Sequence, residues 1–221
     1  MKVTAKLKGV TQPVDDEDGL ETPEELIAYC ARVSNPSNQL NPDYAGLLDY
    51  CIRNKHWSIF EMVNAVVQVE APRDITRQLL RHRSFSFQEF SQRYSDEIEF
   101  TDREFRRQDT KNRQNSIDDL GEYLKAEIEA DVQGLLEDVT SMYKALRDSK
   151  VNVAKECARV ILPEGLTMSR LYVNGTVRSW LHYLDVRDDP GVTQWEHVLL
   201  AREIRKVLEP AFPTIFGVKN D

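Results

Sequence analysis

Residues 81–94 read RHRSFSFQEFSQRY, a stretch in which arginine, serine, amide and acidic side chains alternate with three phenylalanines. The phenylalanines can anchor an extended or turning segment, while the polar residues between them supply hydrogen-bond donors and acceptors. So many polar groups over so short a span suit a polar, planar ligand that carries a phosphate. We therefore interpret this segment as a ligand-binding region.

Arginine is unevenly distributed around this stretch. Between His56 and Thr110 there are eight arginines and no lysine. A planar guanidinium can bind phosphate or carboxylate through two parallel hydrogen bonds, which an ammonium group cannot do. The pattern therefore indicates anion recognition, but it is equally typical of a solvated helix face whose arginines pair with the acids of residues 97–104.

The residues just before and within the stretch predict a helix from Arg73 to about Arg83. Such a helix would present Gln78, Arg81 and His82 on one side, because they stand at positions i, i+3 and i+4. His82 lies between two arginines, whose like charge disfavours its protonation. We expect a neutral, hydrogen-bonding imidazole there rather than a general acid.

Apolar periodicity and helix-capping residues predict a helix-rich α+β chain with few strands. The valine-rich segment that ends before Pro72 indicates a strand over residues 63–71, and a second is predicted over 166–174. Residues 106–116 contain no apolar residue and are predicted to form a surface loop. Ser58 to Glu61 resemble a capping box. Helices are predicted over 22–35, from 41 through 52, and over 73–83, 116–149, 152–162, 176–185 and 192–209.

Composition excludes several classes of protein. The chain has 221 residues, 41% of them hydrophobic and 30% charged, as in an ordinary globular protein. The longest apolar run, Leu26 to Ala31, is too short to cross a membrane, and residues 1–19 lack the apolar stretch of a signal peptide. A net charge of −8 repels polyanions, so no nucleic-acid partner is expected.

Cysteine and glycine usage narrow the prediction further. Three widely spaced cysteines match neither a disulfide framework nor a metal site, so we expect a reducing cytoplasm, no bound metal, and Cys157 as a core thiol. The nine glycines form neither a dinucleotide-binding fingerprint nor a P-loop. A classical nucleotide-binding fold is therefore not predicted.

The spacing within residues 81–94 resembles the signature of the flavin-dependent thymidylate synthases. In that signature, R-H-R is followed by seven residues and then a serine. A glutamate stands two residues before this serine and an arginine two residues after it. Four other segments are similar to motifs of the same family and follow in the expected order. The matching residues are Arg81, His82, Arg83, Glu89, Ser91 and Arg93, and the further segments are 31–34 (ARVS), 56–61 (HWSIFE), 158–163 (ARVILP) and 178–187 (RSWLHYLDVR).

The resemblance implies a fold and an activity. The fold would be a single helix-rich domain over residues 1–221, with a small, mainly antiparallel sheet flanked by helices. The assembly would be a homotetramer whose active sites lie between subunits. Its reaction would move a methylene group from methylenetetrahydrofolate to carbon 5 of dUMP and reduce it to methyl with FADH2, while NADPH supplies the electrons.

The resemblance also implies roles for individual residues. Arg187 would promote ionisation of uracil N3, and Arg93 and Arg159 would bind the phosphate. FAD would contact Ser34, His56, Ser58, Arg81, His82, Arg83, Glu89, Thr176, Val177, Arg178 and His182. The dUMP site would comprise Gln78, Leu79, Leu80, Arg81, Glu89, Phe90, Ser91, Gln92, Arg93, Arg159 and Arg187.

Simpler interpretations stand beside these roles. Arg187 would ordinarily form a local ion pair with the aspartates that follow it, and His197 is expected to sit on a helix without a role. Ser91 lacks the neighbours of a nucleophile and is expected only to bind ligand. Gln92 stands where glycine is frequent in the family, which matters if its φ must be positive.

Two other functions remain open at this point. One is a non-catalytic nucleotide- or RNA-binding module built on the arginine-rich segment. The other is a degenerate family member that keeps dUMP but has lost flavin.

Overall fold

The computed structural model describes residues 1–14 and 18–217. The predicted single domain also includes residues 15–17 and 218–221, which lie outside the described residues. One four-stranded antiparallel sheet has the strand order β1-β2-β6-β3. Its strands are β1 (Thr4–Val10), β2 (Asn64–Pro72), β3 (Ser86–Glu89) and β6 (Met168–Thr176), and a separate pair is formed by β4 (Arg107–Gln108) and β5 (Ser116–Ile117).

Most of the helices pack on one face of this sheet. The α-helices are α1 (Pro23–Ala31), α2 (Ala45–Arg53), α3 (Arg73–Leu79), α4 (Glu122–Arg147), α5 (Lys155–Ala158), α6 (Val177–Arg187), α7 (Trp195–Leu208) and α8 (Pro213–Phe216). Three 3-10 helices cover Pro36–Asn38, Trp57–Glu61 and Arg159–Ile161.

The sheet buries one face against the helices. Along β6 burial alternates, so that Leu171 and Val173 are buried while Arg170 and Tyr172 are exposed, as the two-residue period of a strand requires. Val67 on β2 stands opposite Val173 and completes the apolar face. Helices α1, α2, α3, α6, α7 and α8 all contribute buried side chains to the same core. The predicted α+β class with a small antiparallel sheet is therefore confirmed.

Several predicted elements are confirmed with small shifts. The predicted strands are β2 and β6. Helix α1 begins at its capping box, in which the Thr22 hydroxyl accepts from the Glu25 backbone N–H at 3.2 Å and the Glu25 carboxylate accepts from the Thr22 N–H at 2.9 Å. It ends at Ala31, earlier than predicted. Helix α6 begins directly after Thr176, whose hydroxyl accepts from the Ser179 N–H at 3.2 Å.

The helix predicted to reach Arg83 is too long. Helix α3 ends at Leu79, and its end tightens because the His82 N–H donates to the Leu79 carbonyl, three residues back, at 3.0 Å. The chain must turn here so that β3 can pair with β6. Arg81 and His82 therefore leave the helix, and they do not share a helix face with Gln78.

Other boundaries are also corrected. Helix α4 begins at Glu122, not 116, because Ser116 and Ile117 pair with β4, so the segment predicted as a loop contains a short hairpin. The capping box predicted at 58–61 does not form, since that segment is a 3-10 helix without a side-chain cap. Only two short helices form within 152–162, α2 begins at Ala45 and α7 at Trp195. Strand β1 and helix α8 were not predicted.

Two further expectations can be compared with the structure. Cys157 is exposed rather than a core thiol, because it lies on the solvent side of the short helix α5. Within residues 1–14 and 18–217, no helix combines the length and the apolar character that crossing a membrane would need.

Candidate functional site

His82 and Arg187, 105 residues apart in the chain, are joined by a hydrogen bond. Arg187 is the last residue of α6, and its Nε donates to His82 Nε2 at 2.9 Å. His82 therefore accepts through Nε2 and carries its own proton on Nδ1. Arg187 does not pair with Asp188, which instead accepts from Arg202 and Arg205 on α7.

The imidazole of His82 is held in its neutral form. Burial lowers its pKa to about 4, and the charge of Arg187 adds to the effect, followed by His182 and Arg81. The prediction of a neutral His82 is thus confirmed. Burial and Arg187, which is distant only along the chain, lower its pKa more than the neighbouring Arg81 does. Burial also lowers the pKa of Arg187, but an arginine remains protonated at neutral pH.

A second histidine lies behind this pair. His197 on α7 is fully buried, and its Nε2 lies 3.1 Å from the hydroxyl of Tyr183 on α6. Its Nδ1 lies 3.3 Å from Oε1 of Gln78 at the end of α3. The Tyr183 ring meets the His82 ring edge-on at 5.1 Å between centroids. His197 therefore lies on α7 as expected, and its two ring nitrogens link side chains of α6 and α3.

A cavity of about 840 Å³ opens beside the start of α6. Three of the predicted flavin residues, Thr176, Arg178 and His182, lie in its wall. Trp57 also lines the cavity and stands between His56 and Ser58 in the chain, while Ser84 follows Arg83. We use "cavity wall" for the lining set of Ile52, Lys55, Trp57, Glu61, Ser84, Thr176, Arg178, Ser179, Leu181, His182 and Asp185.

The end of β3 and the following turn hold the second half of the signature. Glu89 accepts a hydrogen bond from Ser169 on β6 at 2.9 Å. The Ser91 hydroxyl accepts from the Arg93 backbone N–H at 3.3 Å, and no histidine or carboxylate contacts it within the described residues. This environment is that of a binding hydroxyl and not of an activated nucleophile.

Arg93 and Arg159 lie in neighbouring segments. The Arg93 guanidinium is 3.4 Å from the carboxylate of Glu156 on α5, with both side chains more than half exposed. Arg159 follows Glu156 by three residues, so it belongs to the segment packed beside the Arg93 turn. Gln92, which stands between Ser91 and Arg93 in the signature, is buried, accepts a hydrogen bond from Arg73 at 2.6 Å, and does not have positive φ. Its replacement of glycine therefore causes no backbone strain.

Other predicted residues are placed differently. The side chains of Leu79 and Val177 are completely buried in the core, so only their backbone could reach a ligand. Leu80 and Phe90 are half-buried. Ser34, like Arg81 and Arg83, is exposed, and no described contact connects it to the cavity wall.

The arginine-rich segment turns out to be of two kinds. Arg103 pairs with Asp74, and Arg106 pairs with Glu104 and with the buried Glu196. Arg81 and Arg83, by contrast, form no ion pair with any residue in the described part of the chain. The anion-binding interpretation therefore fits Arg81 and Arg83, whereas the signature residue Arg93 pairs with Glu156 and local pairing explains the arginines that follow.

Sequence comparison agrees with the signature. A model of the family described as thymidylate synthase complementing protein matches residues 18–214. The chain belongs to this family.

Relatives within the thymidylate synthase complementing protein family are similar over almost all of the chain. A flavin-dependent thymidylate synthase of Synechocystis sp. is 51% identical over 194 residues, which cover 88% of each chain. A probable flavin-dependent thymidylate synthase of Paramecium bursaria Chlorella virus 1 is 47% identical over 216 residues, covering 96% of this chain and 97% of the relative.

Solved structures support the same family fold. The crystal structure of the UMP/dUMP methylase PolB from Streptomyces cacaoi, bound with 5-Br dUMP, superposes with a TM-score of 0.73. It is 25% identical in sequence and covers 97% of this chain and 93% of its own.

Sequence reasoning missed Tyr183, Gln194 and Glu196, which connect to the predicted residues only in three dimensions. Tyr183 is next to the predicted His182, but nothing in the spacing indicates that its hydroxyl meets His197 on another helix. The burial of His197 within the apolar pattern of α7 was the one available signal.

Proposed function

We propose that this chain is an FAD-dependent thymidylate synthase that converts dUMP to dTMP, with methylenetetrahydrofolate as one-carbon donor and NADPH as reductant of the flavin. The chain is a methyltransferase and a flavoprotein of dTMP biosynthesis. The observation that carries the proposal is the bond between Arg187 and signature residue His82, which brings together two predicted site residues that are 105 residues apart in the chain.

The cavity wall fits a flavin dinucleotide. The cavity that these residues line has a volume of about 840 Å³, which lies in the range of cofactor pockets. Such pockets are mostly apolar with a few polar groups. Lys55 and Arg178, the latter paired with Glu61 of the same wall, offer cationic groups for the diphosphate, while Trp57 and Leu181 supply apolar surface for a planar ring. Arg178 stands in the first turn of α6, where the helix dipole also favours an anion.

We assign FAD to the residues predicted for it: Ser34, His56, Ser58, Arg81, His82, Arg83, Glu89, Thr176, Val177, Arg178 and His182. FAD, when bound, supplies the electrons that reduce the transferred methylene group to methyl. The protein's task there is to bind and orient the cofactor and to exclude water.

Arg187 activates the uracil ring. Carbon 5 becomes nucleophilic when negative charge builds up in the ring, and a cation beside N3 stabilises that charge as it forms. Because His82 is neutral, it orients Arg187 through Nε without cancelling the positive charge. The two terminal nitrogens of Arg187 then remain available for the ring. No serine nucleophile is required, in agreement with the surroundings of Ser91.

The phosphate of dUMP is assigned to Arg93, Arg159 and Ser91, with the amide of Gln78 on the same nucleotide. Arg93 and Arg159 offer bidentate guanidinium groups at one end of the signature turn. The full proposed set for dUMP remains Gln78, Leu79, Leu80, Arg81, Glu89, Phe90, Ser91, Gln92, Arg93, Arg159 and Arg187.

We further propose that residues 1–221 act as one domain of a cytoplasmic homotetramer, with no nucleic-acid or membrane partner. Helix α4 supports an assembly, because its Leu124, Leu135 and Met142 are 42%, 53% and 55% exposed. Ser34 and Arg81, which lack a described link to the cavity wall, and the exposed Arg83, which precedes Ser84 of that wall, could then complete an active site between subunits.

The test begins with a visible absorption spectrum of the purified protein after gel filtration, with and without added FAD. We expect an oxidised-flavin spectrum that is bleached by NADPH under anaerobic conditions, and dTMP formation from dUMP that requires methylenetetrahydrofolate. Arg178→Ala should weaken flavin retention, whereas Arg107→Ala, an exposed arginine outside the site, should not. Protein that neither takes up flavin nor forms dTMP would contradict the proposal.

A further inference from the structure

His197 connects two parts of the proposed active site that the chain itself keeps apart. One ring nitrogen meets Gln78, which we assign to dUMP, and the other meets Tyr183, which packs against His82. We propose that His197 is a positioning residue for nucleotide binding, which fixes the amide of Gln78 for dUMP through a directed chain of hydrogen bonds. This inference rests on the proposed function.

The hydrogen bonds of this chain run in one direction as far as Glu196, because each residue donates to the next. The Gln78 Nε2 donates to Gln194 Oε1 at 2.7 Å, and Gln194 Nε2 donates to Glu196 Oε2 at 3.0 Å. Glu196, buried and acidic, accepts from Arg106 as well. We call this set, Tyr183, His197, Gln78, Gln194, Glu196 and Arg106, the His197 chain.

The directions of these bonds fix the form of His197. Because Gln78 uses its amide nitrogen toward Gln194, its Oε1 must accept from His197, which therefore carries a proton on Nδ1. The opposite ring nitrogen is then an acceptor for the Tyr183 hydroxyl. If the Gln78 amide were reversed, the fully buried Tyr183 hydroxyl would have no described acceptor for its proton, at a cost that buried polar groups avoid.

Gln78 is thereby left with a defined capacity for a ligand. Its amide has two N–H groups and two oxygen lone pairs, of which one each is used within the chain. One donor and one acceptor remain at the half-buried Gln78, next to the turn that leads to His82. The oriented amide can complement a group that both donates and accepts, as a nucleotide does.

The positioning does not depend on a proton changing place. Burial lowers the pKa of His197 to about 3, with further contributions from the charges of Arg187 and His82. His197 is therefore neutral throughout the physiological range. What it contributes is the placement of one donor and one acceptor.

Two amide substitutions separate the two ring nitrogens. Asparagine brings an N–H close to the position of Nδ1, and glutamine brings its amide close to that of Nε2. We expect His197→Asn to keep the KM for dUMP within about threefold of wild type, and His197→Gln to raise it about tenfold, since it leaves Gln78 unsupported. Saturated kcat and flavin retention should be alike in the two variants.

A double-mutant cycle separates positioning from mere packing. If His197 acts through Gln78, then His197→Gln should raise the KM for dUMP by less than about twofold in a Gln78→Ala background. A purely structural role would instead lower flavin retention, kcat and the thermal midpoint together, and its effect on KM would persist without Gln78. Either of those two results would overturn the inference.

Tyr183→Phe provides a further test that keeps the ring packing. It removes only the hydroxyl that fixes the His197 tautomer, so we expect the KM for dUMP to rise about threefold with flavin retention unchanged. An unchanged KM in this variant, or equal KM values for His197→Asn and His197→Gln, would overturn the role of His197. A wild-type protein without flavin or dTMP formation would overturn the proposed function itself.

Discussion

The cavity wall and the His197 chain meet at α6, yet they are built in opposite ways. The cavity wall presents exposed or half-exposed groups such as Arg178 and His182. The core of the His197 chain, Tyr183 and His197, is fully buried and hydrogen-bonded. His182 and Tyr183 are adjacent in sequence, so a single residue step along α6, about 100° around the helix axis, separates the cavity wall from the buried hydrogen bonds behind it.

The difference between the two regions is one of energetic cost. An exposed group can leave its partner for water or ligand at little expense, whereas a buried polar group left without a partner is destabilising by about 1–3 kcal/mol. The cavity wall can therefore exchange partners when a ligand binds. The His197 chain cannot do so without loss. It holds Gln78 in a fixed position, and its Tyr183 packs against His82, which bonds to Arg187.

Removing the cation where the two regions meet should have the largest effect. Arg187→Ala should lower kcat for dTMP formation by about 10²- to 10³-fold, the usual consequence of losing one group that stabilises developing negative charge. Flavin should remain bound, because the cavity wall is intact. Arg187→Lys keeps the charge without the planar fork and should recover part of the rate. Undiminished turnover in Arg187→Ala would contradict its role at N3.

Adding a methyl group to the buried packing around Phe85 should destabilise the protein. A Cβ added at Gly175 would lie 2.2 Å from Cδ1 of Phe85, whose ring is packed 4.4 Å from Trp180 between centroids. Gly175→Ala should therefore lower the free energy of unfolding by about 1–3 kcal/mol, measured by urea denaturation.

The matched control is Gly134→Ala, where a new Cβ on α4 meets nothing within 4 Å. It should stabilise the protein by about 0.5–1 kcal/mol through helix propensity. Equal effects of the two substitutions would contradict the tight packing around Phe85.

The neutral state of His197 predicts a pH dependence of stability. Its native pKa of about 3 lies below the ordinary 6.5, so between these values the unfolded chain binds a proton that the native chain does not. This contribution is fully present above pH 6.5 and is lost as the pH falls. Relative to His197→Asn, wild type should lose about 1 kcal/mol of unfolding free energy between about pH 6.5 and 5.5. Parallel pH profiles of the two proteins would contradict a neutral His197.

Freeing an exposed arginine should have the smallest effect. Glu156→Gln removes the exposed partner of Arg93, and such pairs contribute about 0–1 kcal/mol. The KM for dUMP should fall by up to about fivefold, because Arg93 no longer leaves a carboxylate to reach the phosphate. Glu164→Gln, which frees the exposed Arg77 outside the site, should leave KM unchanged. A higher KM in Glu156→Gln would show that Glu156 orients Arg93 instead of competing for it.

The same contrast explains what the sequence could predict. The β2 strand and the α1 capping box were predictable, because a valine-rich segment that ends before Pro72 and the pairing of Thr22 with Glu25 are local signals. The β6 strand was also predicted. The start of α4 was not predictable, because the local sequence at Ser116 and Ile117 indicates a helix. Only their pairing with strand β4 makes them a strand. The end of α3 depends on the turn that lets β3 reach β6, which no residue within α3 specifies.

Within the site, the sequence was enough to predict a neutral His82, from the like charge of its neighbouring arginines, and to indicate anion recognition by the arginine-rich segment. It could not indicate that Arg187 bonds to His82 and not to Asp188, since that choice depends on how α6 and α7 pack. The contacts of His197 could not be predicted for the same reason. Its partners come from α3 and α6, which lie more than ten residues away in the chain.

The central claim is that Arg187, held by a neutral His82, activates carbon 5 of the uracil ring. The most direct measurement is tritium release from dUMP labelled at carbon 5, by wild type and Arg187→Ala, with the flavin reduced beforehand and methylenetetrahydrofolate present. We expect wild type to release tritium at the rate at which it forms dTMP. We expect flavin-loaded Arg187→Ala to release it about 10²- to 10³-fold more slowly. Equal rates of release from the two proteins would contradict the claim.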